Sequence, residues 1–506
     1  MENIFNLEDG AEMDVYVSGV GMTKFGKSKD SLEKIMAEAA MLALKDARVD
    51  RVDALYIGVM NVEEFVGDSN FAALLADTIG LSGVPSTRVE TASSTGAGVF
   101  ETGFYAVASG HLRNVLVLAG EKMTHLPTHR TTKILSEVID RSERRYGATM
   151  PALAAMIAQK YAQEYHLSFR KLEEILSRVA IKNHFNGVLN PYAQFRKTIT
   201  KEDYMKSQMV SFPLRVYDCA PITDGAAAIL LTSEAAPVKV SGVGHATDTS
   251  AVRHRSSLTS FNSTKEAALK AYSMAKLNPS DIQFAEVHDA FTPFEIIGTE
   301  DLGFFSSGKG WKAVEGRITD LHGRLPINPS GGLKARGHPV GASGLAQLVE
   351  IVWQLRGEAG EDRQLKRSEI GLAHSIGGLG NNNLVTLLER SDRKRVMSGG
   401  WNPDYHPGKK IVRKSDLSPP SEGIGRLETF TVLYATPEGF RSPLTLGYVR
   451  TERGDLLMAC SPENQSPDEL KIGKEVFFNT REGLYVFEKK GLWDRLKQWL
   501  KSRERF

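Results

Sequence analysis

Residues 15–21, VYVSGVG, return at 238–244 as VKVSGVG, and this duplication constrains the fold more than any other feature of the chain. Each copy alternates with the two-residue period of a strand. Each then leads into a helical pattern, SLEKIMAEAAMLALKDARV at 31–49 and STKEAALKAYSMAKL at 263–277. The strands that follow correspond too: VDALYIGVM (52–60) with IQFAEVHDAF (282–291), and NVLVLAGEK (114–122) with SEIGLAHSIGG (368–378). A unit repeated once predicts two similar halves. Strands that alternate with helices and run as continuous apolar stretches, as VLVLAG does, belong to α/β layers covered on both faces.

The first half spans 1–236 and the second 237–390. A helical, polar stretch at about 146–215 reads as an insertion capping the first half. Past Glu389 the composition turns to Pro, Gly, Ser and basic residues, which marks a linker at 391–424. Beyond it, in 425–506, RLETFTVLYAT, PLTLGYVRT, DLLMACS, KEVFFNT and LYVFEKK are short strands separated by turn-like residues, as in a small β-barrel or sandwich. The last fifteen residues, LWDRLKQWLKSRERF, have the pattern of a basic amphipathic helix docked by its Trp and Leu face.

At 506 residues the chain exceeds what one core serves, so several domains are expected. A formal net charge of +2 supplies no field for nucleic acid or a membrane surface. The two cysteines, Cys219 and Cys460, have no metal-ligand spacing, so neither a disulfide framework nor a metal site is expected. No apolar run has signal-peptide or membrane-span length, and a cytoplasmic protein is the expectation.

Four segments carry candidate chemistry. VETASSTGAG (89–98) leaves a strand for a small-residue helix start, where amides and the helix dipole converge on Ser93. The same small residues would serve close helix packing equally well. GGLKARGHPVGASG (331–344) sets His338 between Gly337 and Pro339, a constrained turn that aims an imidazole able to activate a hydroxyl or thiol. EVHDAF (286–291) ends a strand on His288 and Asp289, and HSIGGLGNNN (374–383) offers the amides of a glycine turn at Gly377 and Gly378.

In this order, with GEKM (120–123), KNHFNGVLNPYAQFRK (182–197), YDCAPITDGAAA (217–228) and NPSGGLKARGHPVGASG (328–344), the segments resemble a thiolase of the sterol-carrier-protein type over 14–390. The resemblance implies a duplicated five-layer thiolase fold of two similar α/β halves. The C-terminal stretch from GIGRLETFTVLY to VFFNTREGLYVFE resembles the all-β OB-fold domain that accompanies thiolase-like subunits. Ser93 would stand at the acyl-accepting nucleophile, normally cysteine. His338 would deprotonate it, His288 would polarise the second acyl group, and Gly377 and Gly378 would supply oxyanion amides. His374, Asn328 and Ser343 would contact substrate. A second cysteine, acting as acid or base, is expected where this chain has His374 or Ala290. The implied substrate is a coenzyme A thioester with no further cofactor, and the implied assembly is a homodimer or larger, with a hydratase or thiolase as partner protein. Three readings of the serine stay open: a covalent nucleophile, a site for non-covalent aldol chemistry on a CoA ester, or a serine introduced for cysteine. A catalytically silent acyl-CoA-binding scaffold is the rival from another class. Cys219 reads as a structural buried thiol.

Overall fold

The computed structural model describes residues 13–393, 419–462 and 466–489. The linker and the terminal basic pattern therefore lie wholly or mainly outside the described residues. Eleven strands precede the linker: β1 (Tyr16–Met22), β2 (Ala54–Gly58), β3 (Ser86–Val89), β4 (Asn114–Glu121), β5 (Met209–Ser211), β6 (Leu214–Arg215), β7 (Gly225–Thr232), β8 (Val238–Thr247), β9 (Phe284–Glu286), β10 (Ile370–Gly377) and β11 (Asn382–Arg390).

Nine of them run in the order β3-β2-β4-β7-β1-β8-β11-β10-β9. The repeated strands β1 and β8 meet antiparallel at its centre, through Tyr16–Lys239 and Val17–Val238. Outward from that join, β1-β7-β4-β2 is mirrored by β8-β11-β10-β9, the arrangement a duplicated unit predicts, with β3 added at one edge. Alternation along β4 shows how the layers form. Leu116 and Leu118 pack against the Leu32–Ala47 helix, while Val115, Val117 and Ala119 face Phe100 and Leu345 on the other side. Helices Thr95–Ala108 and Ser343–Arg356 contact each other and strands of both halves, and so form a central layer. Helix Asn262–Ala275 covers the far side of β8 and β11. Helix, half-sheet, helix pair, half-sheet and helix make five layers.

The glycines of the repeated motif explain why it returns. A Cβ on Gly19 or Gly21 would strike the carbonyls of Ala43 and Ala39; on Gly242 or Gly244 it would strike those of Ala271 and Ala267. Each motif thus seats its own helix directly on backbone, and larger residues would lift that helix off the sheet.

After the linker come β12 (Gly423–Leu433), β13 (Leu444–Thr451), β14 (Leu456–Cys460), β15 (Glu475–Arg481) and β16 (Leu484–Lys489). They pair as β12-β13-β14-β16-β15 and close again on β12, forming a five-stranded barrel rather than a sandwich. Full closure removes free sheet edges. The insertion departs from expectation. Helix Phe169–Leu189 packs on elements of the second half, and helix Met150–Glu164 packs on β12 of the barrel. Its β5 also adds to the barrel through Ser211–Leu433. The buried faces explain the shift: Leu172, Ile175, Leu176 and Val179 share one cluster with Phe291, Phe294, Leu446 and Tyr448.

Candidate functional site

Four segments, one from the first half and three from the second, converge at one end of the central helix pair. After β3 the chain turns sharply, with Ala92 in the left-handed region at φ 56°. Such a conformation costs a non-glycine residue on the order of 1 kcal/mol. Hydroxyls hold it in place: Ser94 Oγ donates to the Thr91 carbonyl at 2.6 Å, and Thr95 Oγ1 donates to the Ala92 carbonyl at 2.6 Å. Ser93 is projected from this elbow, nearly buried, and its Oγ donates to the Ile376 carbonyl of β10 at 2.8 Å. The ground-state hydroxyl is therefore engaged with backbone.

His338 is fixed from two sides. Its amide donates to Thr223 Oγ1 at 2.9 Å, and its Nδ1 lies 2.7 Å from Ser343 Oγ. The Ser343 hydroxyl has one proton, which it donates to the Pro339 carbonyl at 2.9 Å. Ser343 must then accept from His338 Nδ1–H, which leaves Nε2 as the lone-pair nitrogen. Burial, with the Arg336 guanidinium nearby, pulls the imidazole down to about 3, so it is neutral across the physiological range with its lone pair at Nε2. His288 meets His338 edge-on, with ring centroids 5.3 Å apart and planes at 87°. Burial, then His338, His374 and Arg336, hold His288 well below the usual histidine range, and its buried Nδ1 has no hydrogen-bond partner among the described residues.

The HD pair is held from below. Asn328 sits at φ 58° and accepts the Val287 amide on Oδ1 at 2.8 Å, while its Nδ2 donates to Glu295 at 2.8 Å. Asp289 accepts the Leu333 amide at 2.6 Å and Asn183 Nδ2 at 2.7 Å, which ties the end of β9 to the segment that leads into His338. Burial and the Glu295 carboxylate push Asp289 up to about 7.

Ser93, His288, His338 and Gly378 line one cavity of about 170 Å³. Its wall is otherwise mostly apolar, including Met60, Met123, Leu135, Val138, Phe291 and Phe294. A small, mostly apolar chamber with a neutral imidazole suits an acyl group more than a charged substrate. Ala290 also lines it, at a position where the resemblance allowed a second thiol. Neither the Ser93 nor the Gly378 amide donates to a backbone carbonyl among the described residues.

Three residues expected to contact substrate are elsewhere. His374 is fully buried on β10, with Nε2 3.0 Å from Thr264 Oγ1, and burial takes its ring down to about 3. Asn328 lies beneath β9 and Ser343 behind His338, as described, and neither is on the cavity wall. Gly377 is the last residue of β10, and Gly378 alone of the pair reaches the lining. The sequence reading omits Thr223 and gives Cys219 only a structural role. Thr223 holds His338, and Cys219 joins the wall with a thiol that burial pushes up to about 12. Both fall in YDCAPITDG, whose order was visible while its position beside His338 was not. Among the described residues no three His, Cys, Asp or Glu side chains gather as for a metal ion, and no helix is long and apolar enough to cross a membrane.

Family models match nearly the whole of both halves: "Thiolase, N-terminal domain" over residues 15–235 and "Thiolase C-terminal domain-like" over 244–390. An acetyl-CoA acetyltransferase of Methanothermobacter thermautotrophicus is 43% identical over 387 residues, covering 74% of this chain and 100% of that protein. Sterol carrier protein 2 of Bos taurus is 34% identical over 397 residues, covering 74% of this chain and 72% of that protein. In fold, the chain is similar to a monomeric SCP2-thiolase like protein type 1 from Mycobacterium smegmatis, with a TM-score of 0.71 at 17% identity over 94% of this chain and 99% of that one.

Proposed function

The chain belongs to the thiolase family, in its sterol-carrier-protein branch and with a further C-terminal domain, and from that premise we propose that it makes or breaks a carbon–carbon bond beside the carbonyl of a CoA thioester. The observation that carries this reading is the placement of His338: a buried imidazole whose Nδ1 is held by Ser343, on a ring lining an apolar cavity, which leaves Nε2 with the lone pair. In that reading His338 takes the proton whose loss forms the enolate and returns it when the enolate is quenched, and His288 polarises the second carbonyl. The Ser93 and Gly378 amides would receive the oxyanion, each such donor being worth about 2.7–4 kcal/mol in known cases. Coenzyme A thioester is substrate and no other cofactor is invoked. We read the five-stranded barrel as an OB-fold and assign it to closing the acyl-CoA site. We place the enzyme in the cytoplasm as a homodimer, with a hydratase or thiolase as the partner class.

Within this chemistry the site has two modes. Covalent transfer through Ser93 needs its hydroxyl to swing from the Ile376 carbonyl to His338. Retro-aldol cleavage of a β-hydroxyacyl-CoA needs no such change, because His338 Nε2 takes the β-hydroxyl proton directly. Engagement of Ser93 with backbone, and Ala290 in place of a thiol, favour the second mode. Incubation with 3-ketoacyl-CoA plus CoA, and separately with β-hydroxyacyl-CoA, tests the pair. Intact mass spectrometry after acyl-CoA addition, on the native protein and on Ser93→Ala and Ser93→Cys, reads covalency. An acyl adduct on the native protein that Ser93→Ala abolishes supports the covalent mode. Turnover of neither substrate, even in Ser93→Cys, overturns the proposal in favour of a silent acyl-CoA-binding scaffold.

A further inference from the structure

The barrel reaches the cavity through a line of buried polar contacts. Tyr448 on β13 is 1% exposed and donates its hydroxyl to Glu143 Oε1 at 2.8 Å. Glu143 belongs to the first half and is fully buried, and its carboxylate also accepts the Val252 amide at 3.2 Å and the Arg253 amide at 3.0 Å from the second half. One carboxylate thus joins both halves and the barrel. The turn it holds continues directly: the Arg255 amide donates to the Val252 carbonyl at 3.0 Å. Arg255 Nη1 then donates to the carbonyl of Leu379 at 2.6 Å, and its guanidinium lies over the Phe261 ring. Leu379 follows Gly378 in the glycine turn that lines the cavity. The Nε and Nη2 atoms of Arg255 are buried and bond to nothing among the described residues, so the turn carbonyl is this guanidinium's one hydrogen-bonding anchor there.

We propose that the C-terminal barrel acts on the catalytic cavity through Tyr448, Glu143 and Arg255, which serve as positioning residues for the glycine turn at 377–381. The proposal rests on the acyl-CoA reading only for what the turn does, since the mechanical link stands on the contacts themselves. Among the described residues the link supplies one of three hydrogen bonds that tie the carbonyls of 379–381 to the 248–263 segment. Ser263 Oγ also donates to the Gly380 carbonyl at 2.6 Å, and the Asp248 amide donates to the Asn381 carbonyl at 3.0 Å. Those two lie within the second half; the Leu379 tie alone leads to the barrel. A carbonyl held at Leu379 fixes the peptide planes on either side of it, including the one next to the Gly378 amide. Loss of the Tyr448 hydroxyl leaves Glu143 free to recede from Val252 and Arg253, and the Arg255 fork moves with that turn.

The test is hydrogen–deuterium exchange of the full chain, which needs no turnover. The protected amides to follow are Gly380 and Asn381, both of which donate to the Gly377 carbonyl, at 3.1 and 3.2 Å. Tyr448→Phe and Arg255→Lys should each raise their exchange by about 2- to 30-fold, the range of couplings carried through packed networks. The double variant should exceed the larger single effect only marginally, because both cut one line. Thr429→Val serves as the control, since it removes another barrel contact, the bond from Thr429 Oγ1 to the Met156 carbonyl at 2.7 Å, and should leave Gly380 and Asn381 unchanged. Should Tyr448→Phe loosen β12–β16 as a whole, Glu143→Gln, which keeps the side-chain shape, gives the same reading without a substitution in the barrel. Exchange at Gly380 and Asn381 equal to the native value in Tyr448→Phe, or matched by Thr429→Val, overturns the proposal. Where acyl-CoA turnover is found, Tyr448→Phe should lower kcat while KM stays within about twofold. An absence of turnover in the native protein refutes the proposed chemistry and leaves the exchange result intact.

Discussion

Replacing Ser343 with alanine separates two accounts of the same residue. The motif order implies that Ser343 touches substrate, whereas the geometry puts its hydroxyl behind His338, accepting from Nδ1 at 2.7 Å and donating to Pro339 at 2.9 Å. Removing it leaves a buried imidazole N–H unpaired, at a cost of about 1–3 kcal/mol. The ring can recover by shifting its proton to Nε2, which abolishes the base. If the whole penalty falls on the reaction barrier, kcat drops about 5- to 150-fold, since about 1.4 kcal/mol corresponds to a factor of ten. KM for acyl-CoA should stay within about twofold, because no substrate contact is lost. Imidazole nitrogen NMR provides a check free of kinetics. Native His338 should show a protonated Nδ1 and a bare Nε2, with no titration near 6.5, whereas Ser343→Ala should show mixed tautomers. Ser343→Thr, which keeps the hydroxyl, should restore most of the loss. A raised KM with unchanged kcat, and an unaltered nitrogen spectrum, would refute the reasoning and return Ser343 to the substrate surface.

Other outcomes follow from the same structure. Glu121 is fully buried and accepts the Met60 amide at 3.0 Å and the Gly341 amide at 3.1 Å, yet desolvation pushes it up to about 8. A raised carboxyl contributes stability that is fully present below the unfolded value near 4.5 and is lost as pH rises through about 8, so urea midpoints of Glu121→Gln should gain on native protein between pH 5 and pH 8. Equal pH slopes for the two proteins would sink that assignment. Deleting residues 419–506 should expose the apolar faces that Leu446, Tyr448 and Met458 cover, and the remaining chain should aggregate or bind a hydrophobic dye; a well-behaved, cooperatively melting product would contradict it. Gly344→Val should cost more than about 3 kcal/mol by denaturation, because a Cβ there would sit 2.6 Å from the Ala97 amide nitrogen.

Local chemistry made the core of the site legible. Ser93, His338 and His288 each sit where glycine, proline or a strand end restricts the backbone, and such restriction can be read from neighbours in sequence. Misplaced residues fail for a geometric reason. His374 is adjacent to the glycine turn in sequence, but a strand sends successive side chains to opposite faces, and this one meets Thr264 instead of the cavity. Asn328 and Ser343 are near the right motifs and support them from behind. Duplication was visible because its glycines must repeat to seat a helix twice. Placement of the insertion on the second half was not, since Leu172 and Phe291 share a cluster only through long-range packing. Closure of the barrel rests on a single parallel bridge, Cys460–Val486, which no periodicity announces.

The crossing of the two central helices carries a consequence for how this protein can change. A Cβ at Gly96 would lie 2.5 Å from the Leu345 nitrogen, and one at Gly344 would lie 2.6 Å from that of Ala97. Ser93 stands just ahead of one helix, and the turn holding His338 just ahead of the other, so the distance between nucleophile position and base is set by two missing methyl groups. Any residue added there would wedge the half-sites apart at the root. Variation in acyl preference must therefore come from the chamber wall, at Met60, Leu135, Val138 or Phe294, where side chains can be exchanged without moving the frame.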